Sequence, residues 1–195
     1  FEKINPFISI AEYLLSLGFS APKIFHYDII NGFMILEDLG NDTYTKLLEK
    51  NYNEEKLYSL ATNVLIEVHK SVTKRNIPEF IPPFTHKRII NEVSLLHEWY
   101  FPLIQRKPTY ASVHEYINIW NNLIKISIKF RSSLIFFDYH IDNLLLLIDR
   151  PGHKACGLLD FQDATFGPVT YDLMSLLEDA RRNVNPEIVN KIKFK

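Results

Sequence analysis

The 195 residues carry 47% apolar and 23% charged side chains with a formal net charge of −1 at pH 7, the balance of a globular chain. Near-neutrality leaves no basic footprint for nucleic acid, and no apolar run approaches the roughly 18 residues that span a bilayer, so neither nucleic acid nor membrane is expected as a partner. Cys156 is the single cysteine; with no internal disulfide to form and no signal peptide in the first residues, the expected location is the cytoplasm.

Ile8, Ala11, Leu14 and Leu15 recur at helical spacing, and Gly18 is a stop signal. From Pro22 the chain reads as extended. Ile24 to Ile30 and Phe33 to Leu36 are strand-like runs, and Asn31-Gly32 between them predicts a tight hairpin turn, because both residues tolerate positive φ. Glu37 to Asp42 is a polar connector. Leu57, Leu60, Ala61, Val64, Leu65 and Val68 predict a helix of several turns. Pro78, Pro82 and Pro83 mark a loop. Ile89, Val93, Leu96, Trp99 and Tyr100 predict a second helix ending near Pro102. Val113, Tyr116, Ile117, Trp120, Leu123 and Ile124 predict a third. Trp99, Tyr100 and Trp120 are expected in the core rather than on a sugar platform. Three short strands follow, Ser133 to Phe137, Leu144 to Ile148 and Ala155 to Leu159, with a turn at Arg150 to His153. Val169, Leu173, Leu176, Leu177 and Ala180 predict a last clear helix. The order predicts an α+β fold, the tail of a small sheet domain joined to a mainly helical one.

The chemistry concentrates in two segments, Asp138-Tyr139-His140-Ile141-Asp142-Asn143 and Leu158-Leu159-Asp160-Phe161-Gln162-Asp163. Asp138 and Asp160 each follow an apolar run, where a strand projects a side chain from a rigid base. The turn between the second and third strands folds Asp138, Asn143 and Asp160 together. Phosphoryl transfer needs such a set: a carboxylate to orient the hydroxyl and accept its proton, and oxygen ligands to hold magnesium against the nucleotide phosphates. An aspartate, four residues, an asparagine, then an aspartate beyond the next strand pair is the kinase pattern.

The flanking words carry a family resemblance. Phe137 to Leu144 resembles the catalytic loop of aminoglycoside and choline phosphotransferases. Gly157 to Ala164, Gly167 to Leu173 and Ser175 to Arg181 resemble the bacterial branch that includes cell-wall amino-sugar kinases, which phosphorylate the anomeric hydroxyl of N-acetylmuramate and N-acetylglucosamine. Glu37-Asp38-Leu39-Gly40 looks like that family's hinge, and Glu92 through Trp99-Tyr100 like its helical insert. The resemblance implies a protein-kinase-like fold, with residues 1–41 as the remainder of a β-rich N-lobe plus hinge and residues 42–195 as a helical C-lobe. It implies ATP and Mg2+ as cofactors and a small-molecule acceptor, a sugar or an aminoglycoside. Asp138 is then the catalytic base, Asn143 and Asp160 bind magnesium, the backbone of Glu37, Asp38 and Leu39 meets adenine, and Asp172 braces the catalytic loop. Asp163 is expected to help position substrate or metal. Phe136-Phe137 stands where the family has a basic residue or histidine before the catalytic aspartate. The phosphate-covering loop and phosphate-binding lysine are expected before Phe1.

Plainer readings stand beside these. Asp138 can cap a loop, Asn143 can serve a turn, and Asp160 can cap a helix; their joint spacing favours catalysis. His140 invites a metal-ligand reading, as in dinuclear phosphodiesterases, but a supporting hydrogen bond is preferred. Glu92 and His97 could line the acceptor pocket or a solvated face, and Cys156 is read as an inert strand residue. A catalytically inactive remnant or nucleotide-binding module is the alternative to an enzyme.

Overall fold

The computed structural model describes residues 4–127 and 129–195. Helix α1 (Ile4–Ser16) buries Ile8, Ile10, Ala11 and Leu14 and ends at Gly18, whose φ of 84° is a conformation that glycine adopts without strain. Strands β1 (Ile24–Asp28) and β2 (Phe33–Leu36) pair antiparallel. Their connection is not the two-residue turn that Asn31-Gly32 predicts. Asp28 faces Phe33, so four residues bridge the strands. The Asp28 carboxylate organises them by accepting from the N–H groups of Ile30 and Asn31 and from the Asn31 amide. A local carboxylate cap has overridden the dipeptide signal.

The connector after β2 leads into α2 (Tyr44–Glu49), which Thr43 caps, and then α3 (Glu54–Ser71). Asn53 caps α3 through the Lys56 N–H, and Glu54 and Glu55 occupy its first turn, where the helix dipole favours them. Its buried face carries Leu57, Tyr58, Ala61, Val64, Leu65 and Val68, which makes α3 the central member of the core. Helix α4 (His86–Leu95) runs through a π turn at Leu96–Tyr100 into the short α5 (Phe101–Leu103). Pro102 would clash with the carbonyl four residues back in an unbroken α-helix, and the wider turn relieves that contact. Trp99 and Tyr100, expected in the core, are 72% and 52% exposed; the π turn rotates them off the face that α4 shares with its neighbours. Helix α6 (Tyr110–Ser127) follows.

The remaining strands form two separate pairs. Strand β3 (Ser132–Ile135) pairs with β6 (Thr165–Pro168), and β4 (Leu144–Leu146) pairs with β5 (Cys156–Leu158). The β4–β5 hairpin is the one expected from sequence. Strand β6 was not expected: Gly167 and Pro168 weaken its strand signal. Gly167 is required there, because a Cβ would lie 2.7 Å from Cβ of Phe84 and 2.8 Å from Cδ1 of Ile135. Helices α7 (Thr170–Leu177) and α8 (Pro186–Lys193) close the chain. The start of α8 carries two signals that the periodicity reading passed over, Asn185 as cap and Pro186 at its first position.

Candidate active site

The segment after β3 is built to expose one residue. Phe136, Tyr139, His140 and Ile141 are buried, whereas Asp138 is exposed. Tyr139 donates its hydroxyl to the Ala61 carbonyl on α3 at 2.9 Å, and its ring stacks on Phe136 with centroids 5.3 Å apart. Phe137 adopts φ 77°, a conformation costly for a non-glycine residue. Asp172, in the first turn of α7, holds it there: its two carboxylate oxygens accept from the N–H groups of Phe136 at 2.7 Å and Phe137 at 3.0 Å. Burial pushes the Asp172 carboxyl up to about 7 against the opposing pull of those two N–H groups, and the Asp138 charge adds to the rise.

Asn143 links the two carboxylate-bearing segments. Its Nδ2 donates to the Asp138 carbonyl at 3.0 Å and to Oδ2 of Asp160 at 3.3 Å, and lies 3.3 Å from Nε2 of His140. Its carbonyl accepts from the Leu159 N–H at 2.9 Å, which extends the β4–β5 ladder to the doorstep of Asp160. Asp160 turns out of that ladder with φ 54°, and Gln162 donates to its Oδ1 at 2.7 Å. The next residue, Phe161, is fully buried and stacks on Phe7 of α1 at 4.9 Å, so α1 fixes the loop that carries Asp160. Partial burial raises the Asp138 carboxyl from its ordinary value; the charges of Asp160 and Asp163 add to that, while His140 and Arg181 oppose it. Asp138, Asn143 and Asp160 therefore share one mouth.

Asn143 and Asp160 fit a magnesium site in their chemistry. The Asn143 amide nitrogen is committed to the Asp138 backbone carbonyl and to Oδ2 of Asp160, which leaves the amide oxygen and the Asp160 carboxylate as the groups that would hold the ion. Among the described residues no three His, Cys, Asp or Glu side chains gather into a cage. Magnesium sites need none, because nucleotide phosphates and water complete an octahedron around one or two protein oxygens.

The other expected residues lie around this mouth. His140 is 8% exposed, between Asn143 and Asp142, whose Oδ2 is 3.8 Å from its Nδ1; that is a supporting position. The connector docks on β4: the Leu146 N–H donates to the Asp42 carbonyl at 2.9 Å, and Thr43 bridges Leu145. Within it, Glu37 pairs with Arg150 at 2.7 Å, and its N–H is already given to the Lys23 carbonyl at 2.8 Å. Among the described residues the N–H groups of Asp38 and Leu39 have no such partner. Asp163 is exposed and lies 3.4 Å from Arg88. Glu92 lines a cavity of about 400 Å³ with Phe84, Trp120, Phe137 and Tyr171. His97 belongs to a different hollow, beside Arg106 and Tyr116, so Glu92 and His97 are not brought together.

Four residues escaped the sequence reading. Asp142 accepts from the Thr45 hydroxyl on α2 and lies 3.5 Å from Nε of Arg181, which ties the loop to two neighbours. Tyr171 stacks on Phe137 at 5.0 Å, and burial with the charges of Asp172, Asp138 and Glu92 pushes its hydroxyl up to about 12. Arg88 lies over the Phe137 ring, 4.1 Å from its centroid. Asp142, Arg181 and Tyr171 stand inside the quoted words and could have been found there. A lone arginine near the start of a helix gives no such signal.

The model of the phosphotransferase enzyme family matches residues 1–193. An N-acetylmuramate/N-acetylglucosamine kinase of Caulobacter vibrioides is 33% identical over 193 residues, 95% of this chain and 52% of that protein. The protein of the same name from Pseudomonas aeruginosa is 31% identical over 183 residues, 92% of this chain and 50% of that protein. The chain thus spans about half the length of the curated relatives it matches. Among solved structures, an ADP-bound aminoglycoside phosphotransferase superposes with a TM-score of 0.66 at 17% identity, covering 97% of this chain and 64% of that one. A choline/ethanolamine kinase family protein from Mesorhizobium loti superposes with 0.63 at 14% identity, covering 99% and 60%. The chain shares their kinase-like α+β fold.

Proposed function

This chain belongs to the phosphotransferase enzyme family, and from that premise we propose that it forms part of an ATP-dependent kinase for an amino sugar. The observation that carries the reading is the meeting of Asp138, Asn143 and Asp160 at one mouth through the Asn143 amide. The names of the relatives that match over most of this chain support an amino-sugar acceptor.

In this reading Asp138 orients the acceptor hydroxyl and takes its proton as the γ-phosphoryl group passes from ATP to the sugar oxygen, leaving ADP and the sugar phosphate. Asn143 and Asp160 would hold magnesium, which when bound neutralises charge on the phosphate oxygens. The backbone of Glu37 to Leu39 holds adenine, with the Asp38 and Leu39 N–H groups as its donors. Asp172 and His140 keep the loop in shape, Asp163 and Glu92 face the acceptor, and residues 1–41 and 42–195 serve as N-lobe remainder with hinge and as C-lobe. The lone cysteine, Cys156, is buried and free, in keeping with a cytoplasmic setting.

The test is a panel of N-acetylmuramate, N-acetylglucosamine, an aminoglycoside and choline, offered with ATP and Mg2+ to the protein in its full native length. Phosphorylation of the amino sugars is expected. Nucleotide-dependent thermal stabilisation without turnover of any acceptor would instead fit a binding module.

A further inference from the structure

We propose that Arg88 is a specificity-determining residue that reads a carboxylate on the acceptor, and so separates an acidic amino sugar from a neutral one. The inference rests on the amino-sugar reading above. The guanidinium carbon lies over the Phe137 ring, 4.1 Å from its centroid, and Asp138 follows Phe137 directly in the chain. Its side chain is only 25% exposed. A guanidinium has five N–H donors in a planar fork. Among the described residues one of them has a carboxylate partner, Asp163, at the long distance of 3.4 Å. That partner is itself 58% exposed. A partly buried arginine with most of its donors unspent, pinned in orientation by an aromatic ring, is prepared for a bidentate carboxylate.

The surroundings say where on the acceptor that carboxylate would sit. Phe137 lines one cavity and Arg88, in contact with it, lines another. The first is the apolar cavity of about 400 Å³, whose charged lining residue is Glu92. The second is a cavity of about 440 Å³ lined by Arg88, Asn5, Ser9, Gln162 and Asp163. Glu92 disfavours an anionic arm in the first, whereas the second offers Arg88, from which the arm would displace Asp163. Aromatic faces of Phe137, Trp120 and Tyr171 suit the uncharged ring of a sugar. Of the two sugars in the relatives' names, N-acetylmuramate bears a lactyl carboxylate and N-acetylglucosamine does not. Arg88 therefore contributes to binding of the first and is idle with the second.

The experiment compares kcat/KM for both sugars in the full-length protein and its Arg88→Gln and Arg88→Lys variants. Arg88→Gln is expected to lose about 10- to 100-fold on N-acetylmuramate, chiefly through KM, the range for a charge-assisted hydrogen-bonded pair. On N-acetylglucosamine it is expected to lose less than about threefold, which also reports an intact fold. Arg88→Lys, charged but without the fork, should recover part of the loss. An equal fall on both sugars makes Arg88 a packing residue and overturns the proposal, as does no fall on either. Native protein that turns over neither sugar overturns the amino-sugar reading and this inference with it.

Discussion

The N–H of Phe137 donates to Oδ1 of Asp172 at 3.0 Å across 35 positions of chain, and through that bond helix α7 sets the backbone of the residue immediately before Asp138. Phe137 holds φ 77°, which nothing in its own side chain favours. A second N–H, from Phe136, reaches the same carboxylate. The carboxylate is fully buried, so no water can stand in for it.

Asp172→Asn should therefore destabilise the fold by about 1–3 kcal/mol, because the amide NH2 puts a donor in place of one of the two oxygens that accept the N–H groups of Phe136 and Phe137. The cost should depend on pH. The folded-state value of about 7 lies above the ordinary value near 3.9, so folding takes up a proton at this site. Its contribution is whole below about pH 4 and is lost as pH rises through about 7. Denaturant unfolding of both proteins from pH 4 to pH 8 should show the gap narrowing. A gap that widens over that range means that the two N–H groups, and not burial, govern the carboxyl.

Gly167→Ala should cost about 1–3 kcal/mol, the usual range for overpacking a full core. The added methyl would meet Phe84 and Ile135 at under 3 Å. Phe84 packs on Tyr171 with centroids 5.4 Å apart, so the push is passed toward the Phe137 stack. A chemical-denaturation midpoint unchanged from the parent would show that β6 sits farther from Phe84.

Asp163→Asn removes one of the charges that raise the Asp138 carboxyl. Proton loss from Asp138 becomes easier, so the acid limb of kcat/KM should move to lower pH. An acid limb that stays put, or moves to higher pH, would detach that limb from Asp138.

Where sequence reading succeeded, it did so through local rules. The α3 stripe from Leu57 to Val68 and the β4–β5 hairpin need only periodicity and a turn, and each is found in place. The nearness of Asn143 and Asp160 was legible because the β4–β5 hairpin fixes it, and Asp138 joins them through its carbonyl and the Asn143 amide. What was not legible depends on distant partners. Strand β6 exists because Thr165 to Pro168 can pair with Ser132 to Ile135, although Gly167 and Pro168 are poor strand formers. Trp99 and Tyr100 left the core because Pro102 forces a π turn that a 3.6-residue period does not foresee. Arg88 reached the site by folding of α4 beside Phe137, a contact between residues 49 positions apart.

The most direct test of the account is turnover by the Asp138→Ala variant of the full-length protein, with ATP, Mg2+ and an amino sugar, alongside calorimetric titration of nucleotide. With Asp138 as the group that orients the hydroxyl and takes its proton, kcat should fall by about 10²- to 10⁴-fold while nucleotide affinity holds. Turnover at the native rate would contradict it.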